Sequence, residues 1–196
     1  MSMSNCEKVM SDSSTRTDAS DRPHSRRRSM ALLEKRDSGA VLIVDRYSKV
    51  EEDAATPESG DVLVSLERLE AERESLLARA DSVGVWLRSD QSPSGLADDL
   101  GKIELVALDF PVFSDGRAYS SARLLRERYG YRGELRAVGD VLAEQLGFML
   151  RSGFDTFEMA SPNALEEFAT IPKEVRVVYQ PTGDGLATAT ELRLGT

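Results

Sequence analysis

The chain has 196 residues, 25 Lys/Arg against 34 Asp/Glu, one cysteine and one histidine. Residues 40–196 hold seventeen basic and twenty-eight acidic side chains, so the expected folded part offers no broad basic face to a nucleic-acid backbone. Cys6 and His24 both fall before residue 30, which excludes from the remainder an intrachain disulfide, a Cys/His zinc site, a thiolate-held iron–sulfur cluster and a Ser-His-Asp triad.

Residues 1–38 are rich in Ser, Asp, Thr and Arg, lack apolar periodicity and read as a disordered leader, with Met30 as an alternative start. Arg26-Arg27-Arg28 has no hydrophobic segment behind it that would make an export signal, and no apolar run approaches the ~20 residues of a membrane helix. The expectation is a soluble cytoplasmic protein that engages neither membrane nor nucleic acid.

A single α/β domain is expected over residues 39–181. AVLIVD (40–45) reads as a strand and KVEEDA (49–54) as its hairpin return. DVLVSL, LERLEAERESLLARA and VGVWL then spell strand, helix, strand, the helix carrying Leu66, Leu69, Arg73, Leu76 and Leu77 near the helical period. Ser92-Pro93-Ser94 opens a short helix that ends near Gly101, and IELVALDF (103–110) follows as a strong strand.

Ala118, Ala122, Leu125 and Tyr129 share one helical face opposite Arg123, Arg126 and Glu127, and Gly130 stops that helix. ELRAVG is the next strand, and Val141, Leu142, Gln145, Leu146 and Met149 stripe a helix ending near Gly153. FDTFEM, PNALEEFA and VRVVYQ add a strand, a helix and a last strand, and residues 182–196 read as a flexible tail. Alternating β-α units with short connections predict a mostly parallel sheet with right-handed crossovers, open or incomplete as a barrel, preceded by an N-terminal β-hairpin.

In such a sheet ligands gather at the carboxyl edge, where strand-to-helix turns present unpaired N–H groups. Two of those turns, Ser114-Asp115-Gly116-Arg117 and Gly139-Asp140-Val141, lie in the arginine-rich stretch. Asp115, Gly116, Arg117, Tyr119 and Ser120 are candidates to hold a small oxyanion, with helix capping by Ser114 or Asp115 as the alternative. Asp109 and Arg136 place charge in strands expected to be covered on both faces, so Arg136 should be buried and paired with Asp109, Asp140 or a bound anion. Asp140 after Gly139 can serve the ligand or cap the next helix. Tyr179-Gln180 can add a hydroxyl and an amide to the same edge, while core packing accounts for most of the aromatic residues between Phe110 and Phe157. No glycine-rich phosphate loop or GxGxxG is present, no metal-ligand set appears, and acid/base work would fall to Asp, Glu or Tyr. Lys49, Lys102 and Lys173 stand outside the arginine-rich stretch.

The run DFPVFSDGRAYSSARLLRERYGYRGELRAVGDVLAEQL, continued by GFMLRSGFD, resembles a bacterial family known as domain of unknown function 934. The likeness spans roughly residues 40–181, including GDVLVSLERL, GVWL and VVYQP, and its motif maps onto Asp109, Phe110, Pro111, Asp115, Gly116, Arg117, Tyr119, Ser120, Arg123, Arg126, Glu127, Arg128, Gly139, Asp140 and Gln145. Members of that family are typically encoded beside sulfite reductase or phosphoadenylylsulfate reductase. The resemblance therefore implies a part in assimilatory sulfate and sulfite reduction, with one of these reductases or a small oxyanion as partner, and it supplies no catalytic residues or cofactor to carry over. The absence of core cysteines favours an accessory protein over an enzyme that replaces the reductase. The alternatives are an oxidoreductase or nucleotide-binding enzyme of sulfur assimilation, and a non-catalytic regulatory or docking module.

Overall fold

The computed structural model describes residues 30–37, 39–171 and 189–194. Strands β1 (Ala31–Arg36) and β2 (Gly39–Ile43) form an antiparallel hairpin, and β3 is the two-residue strand Ser48–Lys49. Strands β4 (Val62–Ser65), β5 (Val83–Leu87), β6 (Ile103–Phe110), β7 (Glu134–Gly139) and β8 (Thr156–Met159) follow as parallel neighbours. The sheet order is β2-β1-β8-β7-β6-β5-β4-β3. It is a mostly parallel α/β architecture, curled into a half-barrel, as the strand–helix alternation predicts.

The hairpin differs from its expected partners. The strand at 40–45 pairs with β1, inside the expected leader, while the chain after Tyr47 pairs in parallel with β4 at the opposite edge. Leu32 and Leu33 are the cause: buried at 6 % and 0 % exposure, they give β1 an inner position between β2 and β8 that a six-residue segment in a polar context does not advertise.

Helices α1 (Leu66–Ala71) and α2 (Arg73–Leu77) divide the expected long helix at Glu72. Ser65 caps α1 by accepting a hydrogen bond from the Arg68 N–H. A 3-10 turn covers Pro93–Leu96. Helix α3 (Arg117–Arg123) runs on into a π-helical turn, Leu124–Arg128, which ends before Gly130 at φ 63°. A 3-10 turn (Ala143–Gln145) leads into α4 (Leu146–Arg151), and α5 (Ala164–Ala169) lies against β1 and β2. A short helix, α6 (Ala189–Leu194), stands within the expected tail, built from residues of good helix propensity. The expected strand at VRVVYQ lies outside the described residues. None of the described helices is long and apolar enough to cross a membrane.

The main core lies between the sheet and its helices, where Val62, Val85, Val106, Leu108, Leu135 and Phe157 meet Leu69, Leu76, Ala122, Leu125 and Met149. A smaller cluster of Tyr47, Leu63, Leu105, Ala107 and Val138, with Trp86 beside it, lines the concave face. Alternation along each strand sorts residues between the two faces.

A four-residue strap, Val44–Tyr47, joins strands at opposite edges of the sheet. Laid flat, eight strands at about 4.8 Å spacing would separate those edges by roughly 34 Å. The five Cα steps from Ile43 to Ser48 reach at most about 18 Å. The sheet must therefore curl, and the strap ties its rims together. Arg46 pins the strap near the amino ends of β4 and β6, with Nε 3.4 Å from Asp61 and Nη2 3.1 Å from Glu104.

Candidate functional site

The strap leaves β2 at Ile43, level with Glu158 near the carboxyl end of β8, and runs to the amino ends of β4 and β6, so the curled sheet is a cup whose rim is formed by the carboxyl ends of its strands, where α/β sheets place their ligands. Its floor is an ion network around Arg136, whose side chain is 3 % exposed. Arg136 donates to Asp45 of the strap at 2.9 Å and to Glu134 from Nε and Nη2 at 3.1 and 2.9 Å; the Thr156 hydroxyl donates to Glu134 at 2.6 Å. The guanidinium also lies over the Tyr47 ring, 5.6 Å from its centroid. Burial opposes the charge on Arg136, and Glu134 and Asp45 outweigh it, so its pKa stays above the ordinary value.

Arg136 is thus buried and paired as expected, with partners other than the two carboxylates chosen from sequence. Glu134 sits two residues before it on the same strand face. Asp45 arrives on a strap whose path cannot be read from local pattern. Asp109 is set in register with Val138, beyond Arg136 toward the carboxyl edge.

The upper wall holds Lys49, Trp86, Asp109 and Glu158. The Lys49 ammonium lies 4.1 Å from the Trp86 ring centroid. Burial raises the Asp109 pKa against the pull of Lys49, with Asp115 adding to the rise. Burial likewise raises Glu158 against Arg136 and Lys49. Two carboxyls that hold protons more tightly than usual, near one amine, can donate or accept protons at the mouth of the cup. Lys49, Trp86 and Glu158 were not singled out in the sequence. Their strand positions alternate correctly, but only the β3–β4 pairing brings Lys49 to this face.

The rim is made by the turns after β6 and β7. Asp115 accepts from the Arg117 main-chain N–H at 3.1 Å and from its guanidinium at 3.0 and 2.7 Å, so it both caps α3 and holds Arg117. These bonds to Arg117 hold the Asp115 carboxyl far below the usual range. The Arg117 side chain is 60 % exposed and also reaches the Ser89 hydroxyl at 2.9 Å. Gly116 occupies the N-cap position itself. Tyr119 turns inward, its ring 5.1 Å from Phe110 and 4.7 Å from Phe148, and belongs to the packing; Ser120 lies exposed on α3, along a shallow groove beside Arg123 and Leu124.

Asp140 does not cap the following helix. Its Oδ2 accepts from the Phe113 N–H at 3.0 Å, while Gln145 donates to the Phe113 carbonyl at 2.7 Å and accepts from the Leu142 N–H at 3.1 Å. Gly139, at φ 94°, lies so close to the Phe110 carbonyl that a β-carbon would collide with it, and such a carbon would stand 2.8 Å from Asp109 Oδ1. The two turns therefore form one rigid unit. It presents Val112, Phe113 and Leu142 to solvent at 52, 55 and 37 % exposure. The candidate residues Asp109, Asp115, Gly116, Arg117, Gly139 and Asp140 gather at this edge, while Arg136 lies below as floor. Tyr179 and Gln180 fall outside the described residues.

The sequence profile of a family of bacterial proteins of unknown function, DUF934, matches residues 84–189, which take in β5 through α5 and both rim turns. The chain belongs to that family. No curated protein and no solved structure matches it.

Proposed function

We propose that this DUF934 member is an accessory protein of assimilatory sulfate and sulfite reduction that docks on its reductase, sulfite reductase or phosphoadenylylsulfate reductase, through the carboxyl edge of the curled sheet. The pathway is taken from the family likeness. The docking mode rests on one observation: Phe113 is 55 % exposed, yet Asp140 and Gln145 fix its main chain from both sides. An exposed aromatic side chain on a main chain already held in place loses less entropy on association and has the character of an interface anchor. Asp115 stands two residues on and Asp140 bonds the Phe113 N–H, so carboxylates lie beside the anchor and suit a basic partner surface.

The test is co-purification and titration calorimetry of the full chain with each reductase, beside a Phe113→Asp variant. Loss of a central aromatic anchor costs at least about 2 kcal/mol, so affinity should fall roughly 30-fold or more. Absence of a complex with both reductases, or equal affinity of the variant, would refute the docking mode. Unchanged growth of a deletion strain on sulfate as sole sulfur source would refute the pathway.

A second reading, an oxyanion at the Asp115-Gly116-Arg117 turn, is favoured by the exposure of Arg117 and the Ser89 hydroxyl beside it. An anion there exchanges with Asp115 for the guanidinium fork. Calorimetry with sulfate and sulfite on wild type and Arg117→Ala tests it, and identical binding by the two proteins would remove the site.

A further inference from the structure

A wide groove lies at the other end of the sheet. It measures about 690 Å3, within the range of small-molecule sites, and is bounded by the turns that enter β6 and β7. Ala97, Leu100 and Ile103 make an apolar wall, and Tyr129 and Arg132 stand on the Tyr-Gly-Tyr-Arg-Gly turn across from it.

Four charged side chains face this groove, and three are already satisfied. Arg46 and Glu104 pair at 3.1 Å, with the Ser82 hydroxyl also donating to Glu104 at 2.8 Å. Glu134 is taken by Arg136 and Thr156. Arg132 is the fourth: it is exposed and has no hydrogen-bond or ion-pair partner among the described residues. The groove thus carries one uncompensated positive charge in a domain whose charge is strongly negative.

Its floor is also held firmly. Arg126, reaching inward from the π-helical turn, donates to the Tyr131 and Gly133 carbonyls at 2.8 and 2.9 Å and pairs with Asp155. Gly133 admits no side chain, since a β-carbon there would overlap the Tyr131 ring and stand 2.7 Å from the Glu104 carbonyl. The part-buried Arg126 thereby fixes the main chain of the turn from which Tyr129 and Arg132 project.

We propose that this amino-end groove binds a small aromatic anion of mononucleotide size, its planar ring between Tyr129 and the Leu100 wall and its phosphate or sulfate on the Arg132 guanidinium. The ring accounts for the apolar and aromatic walls, and the tetrahedral anion for the free planar fork. The site is separate from the carboxyl edge and stands whether or not that edge docks a reductase.

Full-length protein is titrated calorimetrically with adenosine 5'-monophosphate, adenosine and inorganic phosphate, and an 8-azido analogue of the nucleotide is photo-crosslinked and mapped by peptide mass spectrometry. Adenosine 5'-monophosphate binds more tightly than either part alone, and Arg132→Ala weakens it about tenfold or more. Label appears on peptides containing 97–103 or 129–133. Arg132 is exposed, so wild-type circular dichroism of the variant confirms that lost affinity is not lost fold. Absence of nucleotide binding at millimolar concentration, binding insensitive to Arg132→Ala, or label confined to other peptides overturns the assignment.

Discussion

Replacing Arg136 by Met keeps the apolar stem and removes the guanidinium's donors to Asp45 and Glu134. Glu134 is left with the Thr156 hydroxyl, and Asp45 with the Tyr47 N–H. Deleting one member of a buried pair costs about 3–5 kcal/mol. The side chains left behind are 24 % exposed for Glu134 and 46 % for Asp45, so water restores part of their solvation. The expected loss is at the lower end, about 3 kcal/mol. For a chain of this size that lowers Tm by roughly 6–12 °C. Thermal and urea unfolding followed by circular dichroism measure it, with the urea midpoint falling at constant slope. Asp45→Asn should reproduce part of the effect, and the double variant should lose less than the sum because the two side chains share one contact. A Tm for Arg136→Met within about 1 °C of wild type would refute the reading of the network as the tie between strap and sheet.

Gly139→Ala forces a side chain onto a backbone at φ 94° and against the Phe110 carbonyl, and should destabilise by about 1–3 kcal/mol from backbone strain alone; wild-type stability in urea would show that the turn relaxes freely. The pKa values of Asp109 and Glu158 are raised by burial, so each group favours folding when protonated, and that contribution is lost as pH rises through the folded value. Asp109→Asn and Glu158→Gln should therefore raise Tm at neutral pH, the gain vanishing below the ordinary carboxylate pKa of about 4; a lower Tm for both at neutral pH would contradict the sign. Phe113→Asp, exposed at the rim, should leave Tm unchanged in the isolated chain, and a large drop would assign Phe113 to the fold.

The strands from 62 to 159 were legible because each carries a run of apolar residues bounded by Gly, Pro or a capping residue, and the parallel order followed from helices between them. β1 was hidden, since Leu32 and Leu33 are only two apolar residues within a polar segment and gain meaning only once β8 is beside them. Asp109, Asp115 and Asp140 were found through their strand-end positions. Their bonds were not: Asp140 reaches across to Phe113, and Asp115 folds back on Arg117. Asp45 and Lys49 escaped for one reason. They approach the cup on a strap and a two-residue strand whose placement is set by closure of the sheet, a non-local event that local periodicity does not encode.

The most direct measurement is hydrogen–deuterium exchange of the full chain with and without sulfite reductase and, separately, phosphoadenylylsulfate reductase. Docking through the carboxyl edge predicts added protection of peptides covering 111–117 and 139–145 with one of these enzymes, and unchanged exchange at 129–133. Protection confined to the amino-end turns, or no protection with either reductase at concentrations where both are folded and active, would contradict it.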